Sequence, residues 1–581
     1  MAAEQHRPAA GVFDVVVAGS GMGALCAAIA CDALGLSVVV VEKDRCFGGA
    51  TARSGAALWL PGSRQARAAG LPDDRAEALA YLDALIGDLA PRETREAFVA
   101  TAPEATAFFE DHSALALDLR QVSPDYYPEL PHASTRGRVL DVKTFDGRRL
   151  GARLADLRPP IETHLLFGFM AINRQDLQLL LKAHRSAKGL WQAARMVAGA
   201  TMRKLRHGRD TRLVLGNALV ARLACTLFER GVEIRLNAPV TGLSRDATGR
   251  VCGVTVSPPG GAAYRLEARR AVVLATGGFS ANAEMSDANR AVAPSSRHVS
   301  MFPASCAGNG IALARDAGAH FAEAGLNAFF FSPVSLHEKP GGGLRRFAHL
   351  TTDRAKPGVI AVDLAGRRFA NEADAYHRFG EALQPLPGDP AGGHVAWLIC
   401  DADALRRYGL GIAKPFPAHL PNRRLIADGY LIEADSIAAL AERIGVAAEI
   451  LAGTLAEYNR DAAHGKDTAF GKGDSAHNRP LGDPEVKPNP CLAPVARPPF
   501  YAVAIHSGDL GTARGLATDA DARALDAAGA PIPGLFAVGN DMHSLSGGTY
   551  PGPGITLGPA LVFAYRAARH IAGASEPEPT S

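Results

Sequence analysis

The chain has 581 residues, 47% hydrophobic and 21% charged, which is enough for more than one core, with two domains as the default. A formal net charge of +3 provides no global field for nucleic acid or an acidic partner, and eight cysteines without a CxxC pair or a histidine cluster argue against a structural metal. The thiols read as reduced and mostly buried, the N-terminus lacks an apolar signal core, and no run reaches about 18 apolar residues, so a cytoplasmic protein is expected.

Residues 13–18, FDVVVA, predict a β-strand; Gly19-Ser20-Gly21-Met22-Gly23-Ala24 follow, and then a helical pattern, LCAAIACDALG. In such a strand-turn-helix Gly19 permits the tight turn and Gly21 lets a pyrophosphate reach the backbone. Gly23 and Ala24 allow close packing. The next strand, SVVVVE, ends at Glu42, an acid spaced for a ribose hydroxyl, with Lys43 beside it. The run Gly49-Ala50-Thr51-Ala52-Arg53-Ser54-Gly55 is poor in side chains and suits close approach of a flat ring system, which favours FAD over NAD. It contains no histidine for a covalent flavin link, so the cofactor is expected to be noncovalent.

Residues 172–212 form a basic segment: Arg174, Lys182, Arg185, Lys188, Arg195, Arg203, Lys204, Arg206, Arg209 and Arg212 stand against Asp176 and Asp210. Leucines, Trp191 and Met196 interleave at partly helical spacing. The segment reads either as solvated helices on the domain or as a peripheral membrane contact. Residues 231–239 and 270–279 predict further strands of the first sheet, with Val240, Ala275, Thr276 and Gly277 as cofactor contacts. The aromatic runs Met301-Phe302-Pro303 and Phe329-Phe330-Phe331 are candidate pocket walls or plain core. Residues 471–490 predict an exposed connector, and the tail 575–581 predicts disorder.

PGLFAVGND (533–541) predicts a late strand that ends at Gly539, Asn540 and Asp541, with Asp541 placed for a ribityl chain. In YPGPG (550–554) the prolines carry no N–H, so Gly552 and Gly554 supply the only amide donors beside Tyr550. The following helix would aim its N-terminal amides, at Thr556 and Leu557, toward the flavin edge that gains charge on reduction. The expected fold is therefore α/β: a discontinuous two-dinucleotide-binding (Rossmann-like) FAD domain, 1–288 and 488–581, with a basic helical insertion at about 160–212. An α+β substrate or cap domain, 289–487, is inserted between its parts.

These motifs resemble the fumarate-reductase-like flavoproteins and, among them, the 3-ketosteroid Δ1-dehydrogenases. The resemblance rests on Thr549 to Gly554 (TYPG-x-G), on Asn371-Glu372 with Tyr376, and on Pro124-Asp125-Tyr126-Tyr127. It implies 1,2-desaturation of a 3-oxo steroid or similar cyclic ketone. Tyr550 and Gly554 would polarise the carbonyl, Tyr376 would take the C2 proton, and the hydride from C1 would go to flavin N5. Tyr126 or Tyr127 would be the auxiliary residue, Tyr126 being favoured, and a quinone is the expected electron acceptor. A free phenol has a pKa near ~10, so the site must stabilise the Tyr376 phenolate or pass its proton through Tyr126. A neighbouring 4(5)-dehydrogenation shares these requirements. A dicarboxylate oxidoreductase would need arginine clamps, and GGTYPGPGITLGPA contains none. A flavin-binding protein without turnover would not need all three tyrosines.

Overall fold

The computed structural model describes residues 11–182, 186–290 and 296–573; the tail 575–581, Arg185 and the Lys182 side chain lie outside the described residues. Strand β1 (Gly11–Ala18) runs into helix α1 (Met22–Ala33) and returns as β2 (Val38–Val41). The four valines of β2 and the last four residues of β1 are all buried, as strands covered on both faces require. β3 (Glu233–Arg235) extends the sheet beyond β2, and β4 (Tyr264–Leu274) lies parallel to β1 on the other side. The strand Pro531–Ala537 then pairs parallel to β4, so the last part of the chain completes a sheet begun by the first. The final helix, Leu557–Ala572, packs on α1 and closes that layer.

A second, mixed sheet carries the cap, in the order 344–348, 329–338, 500–512, 396–401, 359–363. Its central strand is Phe500–Thr512, almost wholly buried, so the cap extends past the boundary expected at 487. The reason is pairing: this strand hydrogen-bonds to Phe329–Glu338 on one side and Ala396–Asp401 on the other, and a central strand cannot be assigned to a different body. The basic insertion forms two helices, Arg174–Lys182 and Ala187–His207.

The segment that carries Tyr376 is held by a buried charge network. Arg368 bridges Glu372 at 2.8 Å and Asp467 at 2.9 Å, and Lys472 stands 3.6 Å from Glu372. Burial raises both carboxyls, but Arg368, with Lys472, outweighs it and holds them below the usual carboxylate range. Removing one member of such a pair strands the others without water. Arg368→Met should therefore destabilise the protein by about 3–5 kcal/mol, read as a shift of the urea midpoint. Depressed folded values mean that the stabilisation is complete above the unfolded carboxyl range near ~4 and is lost as pH falls through the folded values. The melting temperature should thus drop on acidification less steeply in the variant than in the wild type.

Candidate active site

One large cavity opens at the carboxyl ends of the parallel strands β1, β2 and β4. Its floor is the turn Gly19–Gly23. Gly19 has φ +110°, and a Cβ there would sit 2.2 Å from the Ala275 carbonyl oxygen, so only glycine lets β1 and β4 come together. Thr51 Oγ1 accepts from the Met22 amide at 3.0 Å, which pins the glycine-rich run onto the N-terminus of α1. Glu42 is buried at the end of β2 and accepts from the Ser20 hydroxyl and, at 2.9 Å, from the Asp44 amide. Lys43 Nζ donates to Asn309 at 2.6 Å, which ties the cap to the rim.

The cavity is lined by Gly19, Gly21, Gly23, Glu42, Lys43, Gly49, Ala50, Thr51, Ser54, Val240, Ala275, Thr276, Gly277, Gly539, Asn540, Thr556 and Leu557. Three expected contacts are not there. Ala24 is buried within α1, Gly55 is exposed and not among the lining residues, and Asp541 is fully buried. Asp541 accepts from the Gly278 amide at 2.8 Å and the Thr276 hydroxyl at 2.8 Å, so it fastens the two strand ends together instead of meeting a ribityl chain. Its neighbour Asn540 is the residue that faces inward, and its Nδ2 is buried without a partner. An orphaned donor over a glycine cradle, opposite two helix N-termini, fits a dinucleotide with an anionic linker and polar sugar chain. Cap residues Phe302, Ser305, Cys306 and Leu510 complete the wall. Phe302 belongs to the run expected as a pocket wall or plain core, whereas no motif marks Ser305, Cys306 or Leu510.

Beside Thr556 the chain gathers three tyrosines from segments hundreds of residues apart. The Tyr376 and Tyr550 rings are 5.3 Å apart, Tyr126 and Tyr376 5.3 Å, and Tyr126 and Tyr550 5.5 Å. The Tyr376 hydroxyl reaches those of both Tyr126 and Tyr550, and Tyr550 also reaches Thr556. Tyr127 is not part of this cluster; it lies beneath Arg378, 5.0 Å from its guanidinium carbon. Tyr126 is placed by its amide, which donates to the Pro551 carbonyl at 2.8 Å, and by Asp125, which accepts from Trp59 Nε1 at 2.9 Å and pairs with buried Arg138 at 2.6 Å. Tyr376 is the first residue of the helix Tyr376–Leu383. Asn478 Nδ2 donates to the Ala373 carbonyl at 3.0 Å and Arg354 donates to the Glu372 carbonyl at 2.7 Å just before it. His377 accepts from the Phe331 amide on Nδ1 at 2.9 Å, so its Nε2–H donates to the Gly548 carbonyl at 3.1 Å and joins this helix to the Tyr550 loop.

Gly554 has φ +100°, and a Cβ there would meet the Ala57 carbonyl oxygen at 2.5 Å. Its carbonyl accepts from Trp59, Leu557 and Gly558, while its amide has no acceptor among the described residues. Of the aromatic runs, Phe330 packs 5.2 Å from Tyr550, whereas Phe329 and Phe331 point from the opposite strand face into the core under the first sheet. Burial pushes the hydroxyls of all three clustered tyrosines up. The expected exposed connector 471–490 is another correction: Lys472, His477, Asn478 and Asn489 are buried, Lys472 beside Glu372, Asn478 on the Ala373 carbonyl, Asn489 on the Lys472 carbonyl and His477 against the Tyr126 ring.

The FAD binding domain family matches residues 14–557. The chain is 36% identical to 4-oxocyclohex-2-ene-1-carboxylate 5-dehydrogenase of Sinomonas cyclohexanicum, over 96% of this chain and 93% of that protein. It is 36% identical to 3-oxosteroid 1-dehydrogenase of Mycolicibacterium smegmatis, over 96% and 97%. The solved 3-ketosteroid Δ1-dehydrogenase of Sterolibacterium denitrificans, in complex with 1,4-androstadiene-3,17-dione, superposes with a TM-score of 0.88 at 35% identity, covering 97% of this chain and 99% of that one. If Asn540 holds the cofactor, Asn540→Ala should weaken FAD binding about tenfold, by fluorescence titration of the apoprotein, as expected for one lost buried hydrogen bond of about 1.4 kcal/mol. Gly19→Ala should emerge from purification without flavin absorbance. Cavity, cradle and similarity together give one conclusion: the chain belongs to the 3-ketosteroid Δ1-dehydrogenase family of FAD-dependent oxidoreductases.

Proposed function

We propose that this enzyme introduces the 1,2 double bond into a 3-oxo steroid. The observation that carries the reading is the meeting of Tyr126, Tyr376 and Tyr550 with the free Gly554 amide at the edge of the FAD cavity. A C–H bond next to a ketone is a very weak acid, so charge developing on the carbonyl oxygen must be met by fixed donors. The Tyr550 hydroxyl and the Gly554 amide are two such donors. Tyr376 takes the C2 proton. FAD, when bound, supplies the acceptor for the hydride from C1. Because burial raises the Tyr376 hydroxyl well above its ordinary value, a standing phenolate is disfavoured. Tyr376 therefore accepts a proton as it passes its own to Tyr126, which releases its own hydroxyl proton in the same transfer. Phe330, which packs on Tyr550, is apolar and suits a fused-ring skeleton.

A second reading has specific support, since the relative that acts on an oxocyclohexene carboxylate is as similar as the steroid enzyme. Both substrates are desaturated next to a ring ketone, so the same tyrosines serve either. Anaerobic mixing with 4-androstene-3,17-dione should bleach the flavin and yield a product with a new C1–C2 double bond by NMR. Bleaching only by 4-oxocyclohex-2-ene-1-carboxylate would transfer the assignment. Tyr550→Phe should lower kcat/KM by about 100- to 1,000-fold at unchanged FAD content, the loss expected for one oxyanion donor.

The helix Ala187–His207 supports a peripheral membrane contact, from which a quinone would reoxidise the enzyme. Only Ala193 and Ala200 are buried in it; Leu190, Trp191, Met202 and Leu205 are exposed, Leu205 at 77%. Lys188, Arg195, Lys204 and Arg206 flank that stripe, whereas Arg209 and Arg212 are occupied by internal contacts with Asn217 and Asp176. No described helix is long and apolar enough to cross a membrane. Vesicles containing phosphatidylserine should sediment the protein at low salt, and Trp191→Ser with Leu205→Ser should abolish this without changing turnover of soluble steroid. Failure to sediment with any anionic vesicle would refute the contact.

A further inference from the structure

Desaturation creates a proton that must leave. The C2–H electron pair becomes the new π bond, the C1 hydride departs to FAD, and one proton per turnover has to reach water from a cluster in which Tyr126, Tyr376 and Tyr550 are all buried. Tyr376 can pass it to Tyr126, but Tyr126 is only 4% exposed, so the path needs another member. On the far side of Tyr126 stands His477, its ring centroid 5.0 Å from that of Tyr126 and its plane at 75°.

His477 is 6% exposed, and neither Nδ1 nor Nε2 has a hydrogen-bond partner of good geometry. Leaving a buried imidazole so poorly partnered costs stability and calls for a reason. The residues that face it are Tyr126 and the Pro124 carbonyl from one loop, Arg354 from the cap, and Arg378 from the Tyr376 helix. Burial first, and then the two arginines, push the imidazole down to about 4, against the pull of the Pro124 carbonyl. It is thus neutral at working pH and can accept on one nitrogen while releasing from the other. Of its two chain neighbours Ala476 is exposed and Asn478 is buried, and His477 itself keeps 6% of its surface open to solvent.

We infer that His477 is the proton outlet of this site, acting through Tyr126: the proton taken from C2 by Tyr376 moves to Tyr126, then through the His477 ring to water. The inference rests on the desaturase reading above. His477 does not line the cofactor cavity and so would drain the tyrosine pair as a positioning residue.

The test uses the FAD-loaded enzyme with its flavin kept reduced, so that no hydride leaves, and follows loss of deuterium from 2,2-dideuterated 4-androstene-3,17-dione into water. His477→Ala and His477→Gln should bind FAD like the wild type but exchange at least tenfold more slowly. Added imidazole should restore exchange in His477→Ala, and the solvent isotope effect on oxidative turnover should rise in both variants. Rescue and isotope effect are readouts that a purely structural role would not move. Wild-type exchange in His477→Gln, or slowing in His477→Ala that imidazole does not relieve, overturns the outlet while leaving the desaturase reading intact. A wild type that neither exchanges C2 deuterium nor has its flavin reduced by the steroid overturns both.

Discussion

The geometry of the site hangs on one carbonyl oxygen, that of Pro551. It accepts from the Tyr126 amide at 2.8 Å and from the Tyr81 hydroxyl at 2.7 Å, and so binds an early loop, an early helix and the last loop of the chain to one point. A proline-glycine segment has few conformations to lose, and its backbone can be approached from all sides. Once that joint forms, Tyr126 and Tyr550 stack, and the Gly554 amide is left with no acceptor among the described residues.

Tyr376 arrives by a different route and at a different cost. Its segment is not held by apolar packing alone but by Arg368, Glu372, Asp467 and Lys472, charges taken out of water together, and by Arg354 and Asn478 on its carbonyls. Such networks add little to stability but tolerate only one arrangement, which is what a group that must meet two other hydroxyls needs. The same segments bring His477 against Tyr126, so the contacts that fix the tyrosines also place the proposed outlet for their proton.

The dryness that makes two weak donors effective on a carbonyl oxygen also disfavours a free phenolate. Burial lifts all three hydroxyls, so in the proposed reaction charge would pass along the row instead of resting on one of them. In this respect the protein differs from an enzyme built around a single perturbed base: no residue in the cluster is poised near neutrality, and function lies in the contacts between them.

The FAD half of this architecture was legible in the sequence because it is local. Strand, glycine turn and helix lie within about twenty-five residues, the glycines answer to backbone crowding, and valine runs announce strands buried on both faces. Tyr550, Tyr376 and Tyr126 were also marked, by short motifs around each. What chain order could not supply was the side of a loop or strand that each residue presents. Asn540 instead of Asp541 faces the cavity, Phe330 alone of three phenylalanines meets Tyr550, and the polar stretch 471–490 sends His477 inward. Each of these turns on pairing between segments far apart, above all on Phe500–Thr512 becoming the centre of the cap sheet. Such pairing is decided only when competing burial and hydrogen-bond demands are met together in three dimensions.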